Sequence, residues 1–277
     1  MTNFVVMGSC LSNMTGIFLT EEYKWVRLNF ATIYRSHHFL EYCAYKRKQL
    51  PPFEKIVADL EYRDEFKKRQ AETEARIREQ YPETVGQFRM PANTPNLITT
   101  LENEQLDIVL MDNLYDTEAR LYEAMPSPTH PAYEIYLRLG NFSNDSDLKK
   151  IYKRGEFLSP QKSAEGWLQI VDFVRERQPS AKIFFLAAHY CTSLEVPDRY
   201  RRARDFYVEF SRIAGDRNIN ILPPLELPLE LTRMPEDFAH FHFSAYRALA
   251  GHLYLDWVCK WPGWANHHTL SDDVLAF

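Results

Sequence analysis

The sequence predicts an α/β protein with a doubly wound, mainly parallel five-stranded sheet in the flavodoxin-like order. Two observations carry that expectation. Short apolar runs such as "DIVLM" and "KIFFLA" do not alternate polar with apolar residues, which suits strands covered on both faces. Helical patterns lie between these runs, and alternating strands and helices imply crossover units. The 277 residues suffice for one such domain spanning 1–277, with 45% hydrophobic and 26% charged residues.

The first run, Asn3–Met7, leads into Gly8-Ser9-Cys10 and then into a helix-like segment. The second run is Lys24–Leu28, expected on one outer side of the first. Phe53 to Gln80 interrupts the rhythm with 15 charges, 8 acidic and 7 basic. Its apolar stripe is Phe53, Ile56, Val57 and Leu60, so the spacing predicts a long, largely exposed helix inserted at about 53–80. It reads as a solvated helix, with a lid or docking arm as the functional alternative.

The third run, Leu106–Met111, is expected on the other side of the first. The turn-rich stretches "PSPTHP" (126–131) and "NFSNDSD" (141–147) follow, in a long segment expected to cover one sheet edge. Ala164, Trp167, Leu168, Val171 and Val174 fall at helix spacing before the fourth run, Lys182–Ala187. Tyr200, Ala203, Tyr207, Phe210 and Ile213 do the same before the fifth, Ile219–Leu222. After an irregular segment, 223–235, Tyr246 to Val258 carries the pattern of a final helix.

Bulk properties exclude several classes. A net charge of −5 with no basic run argues against nucleic acid as the main partner. No run of ~18 apolar residues predicts a membrane span, and the N-terminus lacks the pattern of a signal peptide. Cys10, Cys43, Cys191 and Cys259 show no metal-binding spacing and read as free thiols of a cytoplasmic protein. His37-His38 and His267-His268 sit in no zinc motif, so no metal is expected.

Sites in open parallel sheets form at the carboxyl ends of strands. That rim holds Ser9, Cys10, Asn29, Asp112, Asn113 and His189. Ser9 is the leading nucleophile, at a strand-to-helix corner where free backbone N–H groups could stabilise an oxyanion; its bland role is a helix N-cap. Near the far end, "PEDFAHFHFSAYRALA" places Asp237 three residues before His240. An acid at that spacing can orient one ring nitrogen while the other faces the nucleophile. His242 is the rival base and Cys10 the rival nucleophile, with a small buried side chain as the bland role of Cys10.

With these two motifs the sequence resembles the SGNH/GDSL hydrolases, which carry a serine after the first strand and an Asp-x-x-His before a C-terminal helix. Gly8-Ser9-Cys10 looks more like a Gly-Ser-Cys branch than the Gly-Asp-Ser branch. It is also similar to bacterial proteins found with surface-polysaccharide genes, some of them thought to be acyltransferases. The resemblance implies an esterase or O-acyltransferase acting on an acylated or acyl-accepting carbohydrate. Ser9 would be its nucleophile, His240 its base and Asp237 the acidic partner. Asn113 would match an oxyanion-donating asparagine, with Cys10, Asn29 and His189 near the substrate. The family's second-block glycine and its Gly-x-Asn-Asp are absent here. That leaves the N–H of Ser9 or Cys10 as oxyanion donors, helped by Asn29. No cofactor is required. Acyl-CoA would enter only for a transferase, and Arg199, Arg201, Arg202 and Arg204 are then the nearest basic cluster, the bland reading being an exposed helix face. A third class is a non-catalytic binding protein on a degenerate hydrolase fold.

Overall fold

The structure is a computed structural model. It describes the chain apart from residues 59, 127–130, 138–140, 143–144, 190–196, 216, 228, 235–236 and 260–277. The strands in chain order begin with β1 (Asn3–Gly8), β2 (Val26–Thr32), β3 (Ile108–Asp112), β4 (Tyr122–Ala124) and β5 (Tyr133–Ile135). They continue with β6 (Tyr152–Arg154), β7 (Lys182–Leu186), β8 (Ile219–Leu222), β9 (Thr232–Met234) and β10 (Asp237–Phe241).

Five of these strands form the main sheet in the order β2-β1-β3-β7-β8, and every pair is parallel. This is the expected doubly wound order, with the second and third strands on opposite sides of the first. The central strands are apolar on both faces, and alternation divides their side chains between two cores. Val5, Met7, Val109, Met111, Ile183 and Phe185 join the cluster that contains Trp167, Phe173 and Phe206. Phe4, Val6, Ile108, Leu110, Phe184 and Leu186 join the cluster under Leu11, Leu19, Leu249 and Leu253. Each fully buried Phe contributes about 1.5–3 kcal/mol over its exposed state, so the sheet interior is the main source of stability.

Helices cover both faces. The helix Pro160–Arg177 packs on the helix Pro197–Ala214, on the side of Phe185, Phe206 and Phe210. The final helix, Phe243–Cys259, packs on the first, Cys10–Tyr23, where Tyr23 stacks on Tyr254 at 4.2 Å and Arg247 pairs with Glu22 at 2.5 Å. The second strand starts later than its apolar run because Lys24 takes a left-handed turn (φ 60°) to end the first helix.

Two regions differ from expectation. Residues 53–80 do not form one long helix. A helix over Phe53–Ala58 is followed by a tight turn over Asp64–Arg69 and a second helix over Gln70–Arg78. The break has a long-range cause: Tyr62 bridges to Phe142, and the Arg63 N–H donates to the Asn141 carbonyl at 3.2 Å, which pulls the chain extended. Nor does the second half stand clear of the body, since Ile77 is 1% exposed in the larger core. The other region lies around the turn-rich stretches. There β5-β4-β6 form a small antiparallel sheet that docks on the segment Ser36–Ala44, with the Glu134 N–H donating to the Tyr42 hydroxyl at 2.9 Å. Among the described residues no helix is long and apolar enough to cross a membrane, and no cluster of three or more His, Cys, Asp or Glu is arranged to hold a metal ion.

Candidate active site

The chain leaves β1 to one side to make β2 and returns to the other side as β3. Such a reversal opens a crevice at the carboxyl ends of the strands. The register sets Gly8 beside Thr32 and Met7 beside Met111, so the three strands end together.

One carboxylate organises the corner. Asp112 ends β3 and is 1% exposed. Its Oδ2 accepts from the Ser9 N–H at 2.7 Å, from the Ser12 N–H at 3.0 Å and from the Ser12 hydroxyl. Its Oδ1 accepts from the Leu114 N–H at 2.9 Å. The carboxylate lies where a side chain on residue 8 would stand, so a Cβ there would overlap it and only glycine fits. Ser9 is extended (φ −121°, ψ −160°), and its hydroxyl accepts from the Leu11 N–H at 3.0 Å. It is an N-cap and is 1% exposed.

Cys10, the first helical residue, lines a cavity of about 410 Å³. Phe30 and Thr32 enter it from β2, Tyr115 from the turn after β3, and His240 from β10. Arg69, Glu72 and Arg76 come from the inserted helical region, and Phe88 and Arg89 from the loop that follows. Burial pushes the Cys10 thiol up to about 12, and the carboxylates of Asp112 and Glu118 add to the shift. The group is therefore a neutral thiol at pH 7, and attack by sulfur would need a base.

The arginine side of the cavity is held in place from behind. Glu72 accepts from Arg76 Nη2 at 2.8 Å and Nε at 3.3 Å, and Arg89 approaches it at 3.6 Å. Both guanidiniums lie over the Phe88 ring, with centroid distances of 5.7 and 5.0 Å. The loop that carries Phe88 and Arg89 is pinned by Glu79. That buried carboxyl accepts from the N–H groups of Thr32 (3.1 Å), Gly86 (3.0 Å) and Phe88 (2.9 Å). Burial pushes it up to about 8, with the three N–H donors pulling the other way.

The residues singled out in the sequence separate in space. Cys10 and His240 line the same cavity. The Asp237 side chain lies outside the described residues, as do Cys191 and the His267-His268 pair. His240 sits on a strand, not in the first turn of the helix. His242 is exposed, and its Nδ1 lies 3.0 Å from the Ser244 hydroxyl at the start of the last helix. The Ser9 N–H is committed to Asp112, so it is not the oxyanion donor that the sequence suggested. Asn29 donates to the Pro95 carbonyl (2.7 Å) and to Thr100 Oγ1 (3.1 Å). Its carbonyl faces Gly86, whose φ of +86° and close approach both require glycine. The Asn29 amide thus holds that loop rather than facing the cavity. Asn113 Oδ1 accepts from the Ala188 N–H at 3.0 Å, and its buried Nδ2 finds no partner among the described residues.

His189 is buried off the cavity. Its Nδ1 accepts from the Leu225 N–H at 3.2 Å, and desolvation, with Arg199 nearby, lowers its pKa to about 4. The four arginines of "DRYRRARD" do not form one patch. Arg199 is 3% exposed and donates to the His189 carbonyl, Arg202 donates to the Thr117 carbonyl at 2.9 Å, and Arg204 pairs with Asp205. A turn of helix points its residues in different directions, which the linear run of charges concealed.

Sequence reading missed the arginine side altogether. Arg69, Glu72 and Arg76 are spaced 3 and 4 apart and share one face of a helix. That spacing was available as a signal, but nothing in it said that the face borders a cavity. No protein-family model matches the sequence, and no curated protein matches it. The structure is similar to several solved ones. An acetyl xylan esterase from Butyrivibrio proteoclasticus aligns over 94% of this chain at 11% identity, with a TM-score of 0.40. A family two carbohydrate esterase from Clostridium thermocellum aligns over 94% at 9% identity, with a TM-score of 0.45. The alignments span 64% of each of those two proteins, so this chain is shorter than either. An extracellular lipase from Streptomyces rimosus aligns over 92% of this chain and 99% of its own length at 10% identity, with a TM-score of 0.42.

Proposed function

We propose that this chain carries out O-acyl chemistry, hydrolysing or transferring the acyl group of a carbohydrate ester, in the cavity lined by Cys10 and His240. One observation carries the reading: the strand-to-helix corner and the histidine of the C-terminal motif, 230 positions apart in sequence, line one cavity at the switch point of the sheet. The carbohydrate part rests on the motif resemblance, because fold does not fix substrate.

The corner offers two nucleophiles. Sequence reasoning put Ser9 first. What supports Cys10 is that it lines the cavity, while the Ser9 hydroxyl is buried as a helix cap. In this reading the Cys10 sulfur attacks the ester carbonyl as His240 takes the thiol proton. A C–S bond forms, the C–O bond to the sugar breaks, and His240 returns the proton to the departing oxygen. Water, or an acceptor hydroxyl, then attacks the thioester carbonyl. His240 takes its proton and passes it to the leaving sulfur, which restores the thiol. Asp237 keeps the role of acidic partner to the imidazole that the motif resemblance implies.

The test is turnover of an aryl acetate by Ser9→Ala, Cys10→Ala and His240→Ala proteins of unchanged unfolding midpoint. We expect Cys10→Ala and His240→Ala each to lose at least about 100-fold in kcat/KM, with a double variant no worse than either. Loss in Ser9→Ala with Cys10→Ala active would return the nucleophile to Ser9. A specific observation favours a second reading, a binding protein without catalysis: the Ser9 N–H and the Asn29 amide donate elsewhere in the fold. Wild-type protein that turns over no ester would support it.

A further inference from the structure

We infer that this cavity recognises its substrate through an anionic group, a phosphate or a carboxylate, bound by Arg69, Arg76 and Arg89 opposite Cys10 and His240. The inference deepens the acyl reading and rests on it only for what happens at the ester; the anion subsite is built from other residues.

Charge is the first argument. Three guanidiniums line the cavity, and among the described residues Glu72 is the single carboxylate that lines it with them. Arginine stays protonated at any physiological pH, so this wall keeps a net positive charge. The neighbouring acids do not line the cavity and already have partners. Asp112 is surrounded by donors of the corner, Glu118 pairs with Arg199, and Glu79 is tied to three backbone N–H groups. Arg69 has no carboxylate partner among the described residues.

Preorganisation is the second argument. An exposed helix solvates its arginines, whereas the Arg76 side chain is only 13% exposed and is flanked by Phe88. Arg89 takes a left-handed backbone (φ 64°) in the loop that Glu79 pins. A non-glycine residue there is strained by about 1 kcal/mol or more, and such strain persists where the surroundings impose it. The result is to set the exposed Arg89 guanidinium beside that of Arg76, on the same Glu72 carboxylate and Phe88 ring. The planar forks of arginine match the paired oxygens of phosphate and carboxylate. The wall therefore fits a uronate or a phosphorylated sugar or carrier better than a neutral sugar.

The experiment is titration calorimetry on the full chain at low salt, with inorganic phosphate in one arm and glucuronate in the other. We expect one of them to bind in the millimolar range or tighter, and to weaken several-fold between 20 and 200 mM NaCl. The arm that binds identifies the source of the charge. Arg69→Gln/Arg89→Gln should weaken binding at least about 10-fold. Should that double variant fail to fold, Arg69→Gln alone removes a charge without breaking an ion pair among the described residues and should weaken binding about threefold or more. No binding of either anion, or equal binding by a folded variant, overturns the inference. Calorimetry reads no turnover. An inactive protein that binds anion refutes the acyl reading alone, and an active one that binds neither refutes this inference alone.

Discussion

Replacing Asp112 with asparagine tests whether one buried carboxylate holds the corner together. The carboxylate receives the N–H groups of Ser9, Ser12 and Leu114 and the Ser12 hydroxyl. The best orientation of asparagine keeps its oxygen towards Ser9 and Ser12. Its NH2 group then meets the Leu114 N–H, donor against donor. One charge-assisted bond is lost, about 1.5–3 kcal/mol, and the others weaken to neutral strength. Relief of the carboxylate's desolvation offsets part of this. The net expectation is a loss of about 3 kcal/mol, a large share of a typical total of about 5–15. Urea unfolding followed by tryptophan fluorescence is a suitable assay, because Trp25 and Trp167 are 4% and 1% exposed. The midpoint should fall with an unchanged m value. Gly8→Ala should do comparable damage by pushing the same carboxylate aside. Gly8→Ala/Asp112→Ala should cost less than the sum of its parts, since both changes act on one group. A stability within about 0.5 kcal/mol of wild type for Asp112→Asn would refute the reasoning.

Other outcomes follow from the same geometry. His38 and His189 are buried, and desolvation, the leading cause for each, lowers them to about 3 and about 4. Folded values below the unfolded ~6.5 mean that their contribution is complete above that pH and is lost as pH falls towards 4, at about 2 kcal/mol per histidine by pH 5. Comparing the drop in unfolding free energy from pH 7 to 5 in wild type and in His38→Gln/His189→Gln isolates these two groups; equal drops would contradict the assignment. Glu79→Gln should set an NH2 group against at least one of three backbone N–H donors, destabilise by about 2 kcal/mol and loosen the loop of Gly86 to Arg89. Hydrogen exchange at the Gly86 and Phe88 amides reads this directly, and unchanged protection would count against it.

The sequence by itself determined the parts of this protein that depend on local pattern. Continuous apolar runs and helix-spaced residues named the five sheet strands and the main helices, because strand and helix periodicities write themselves into neighbouring positions. Asn3 to Met7 read as a buried strand, and Gly8-Ser9-Cys10 as a strand-to-helix corner. Tertiary structure decided what depends on residues far apart in the chain. The glycine is required by Asp112, some 100 positions away, and Ser9 becomes a cap because the helix starts at Cys10. The break near residue 60 comes from pairing with Phe142, which no local propensity encodes. That break and the burial of Ile77 bring Arg69, Glu72 and Arg76 to the cavity, where Arg69 and Glu72 stay exposed and Arg76 is half-buried, and a charged stretch that reads as solvated becomes a wall of the cavity. Charge and spacing are properties of sequence. Which way a charged face points is fixed only when an apolar face behind it finds its place in the core, and that is a long-range hydrophobic choice.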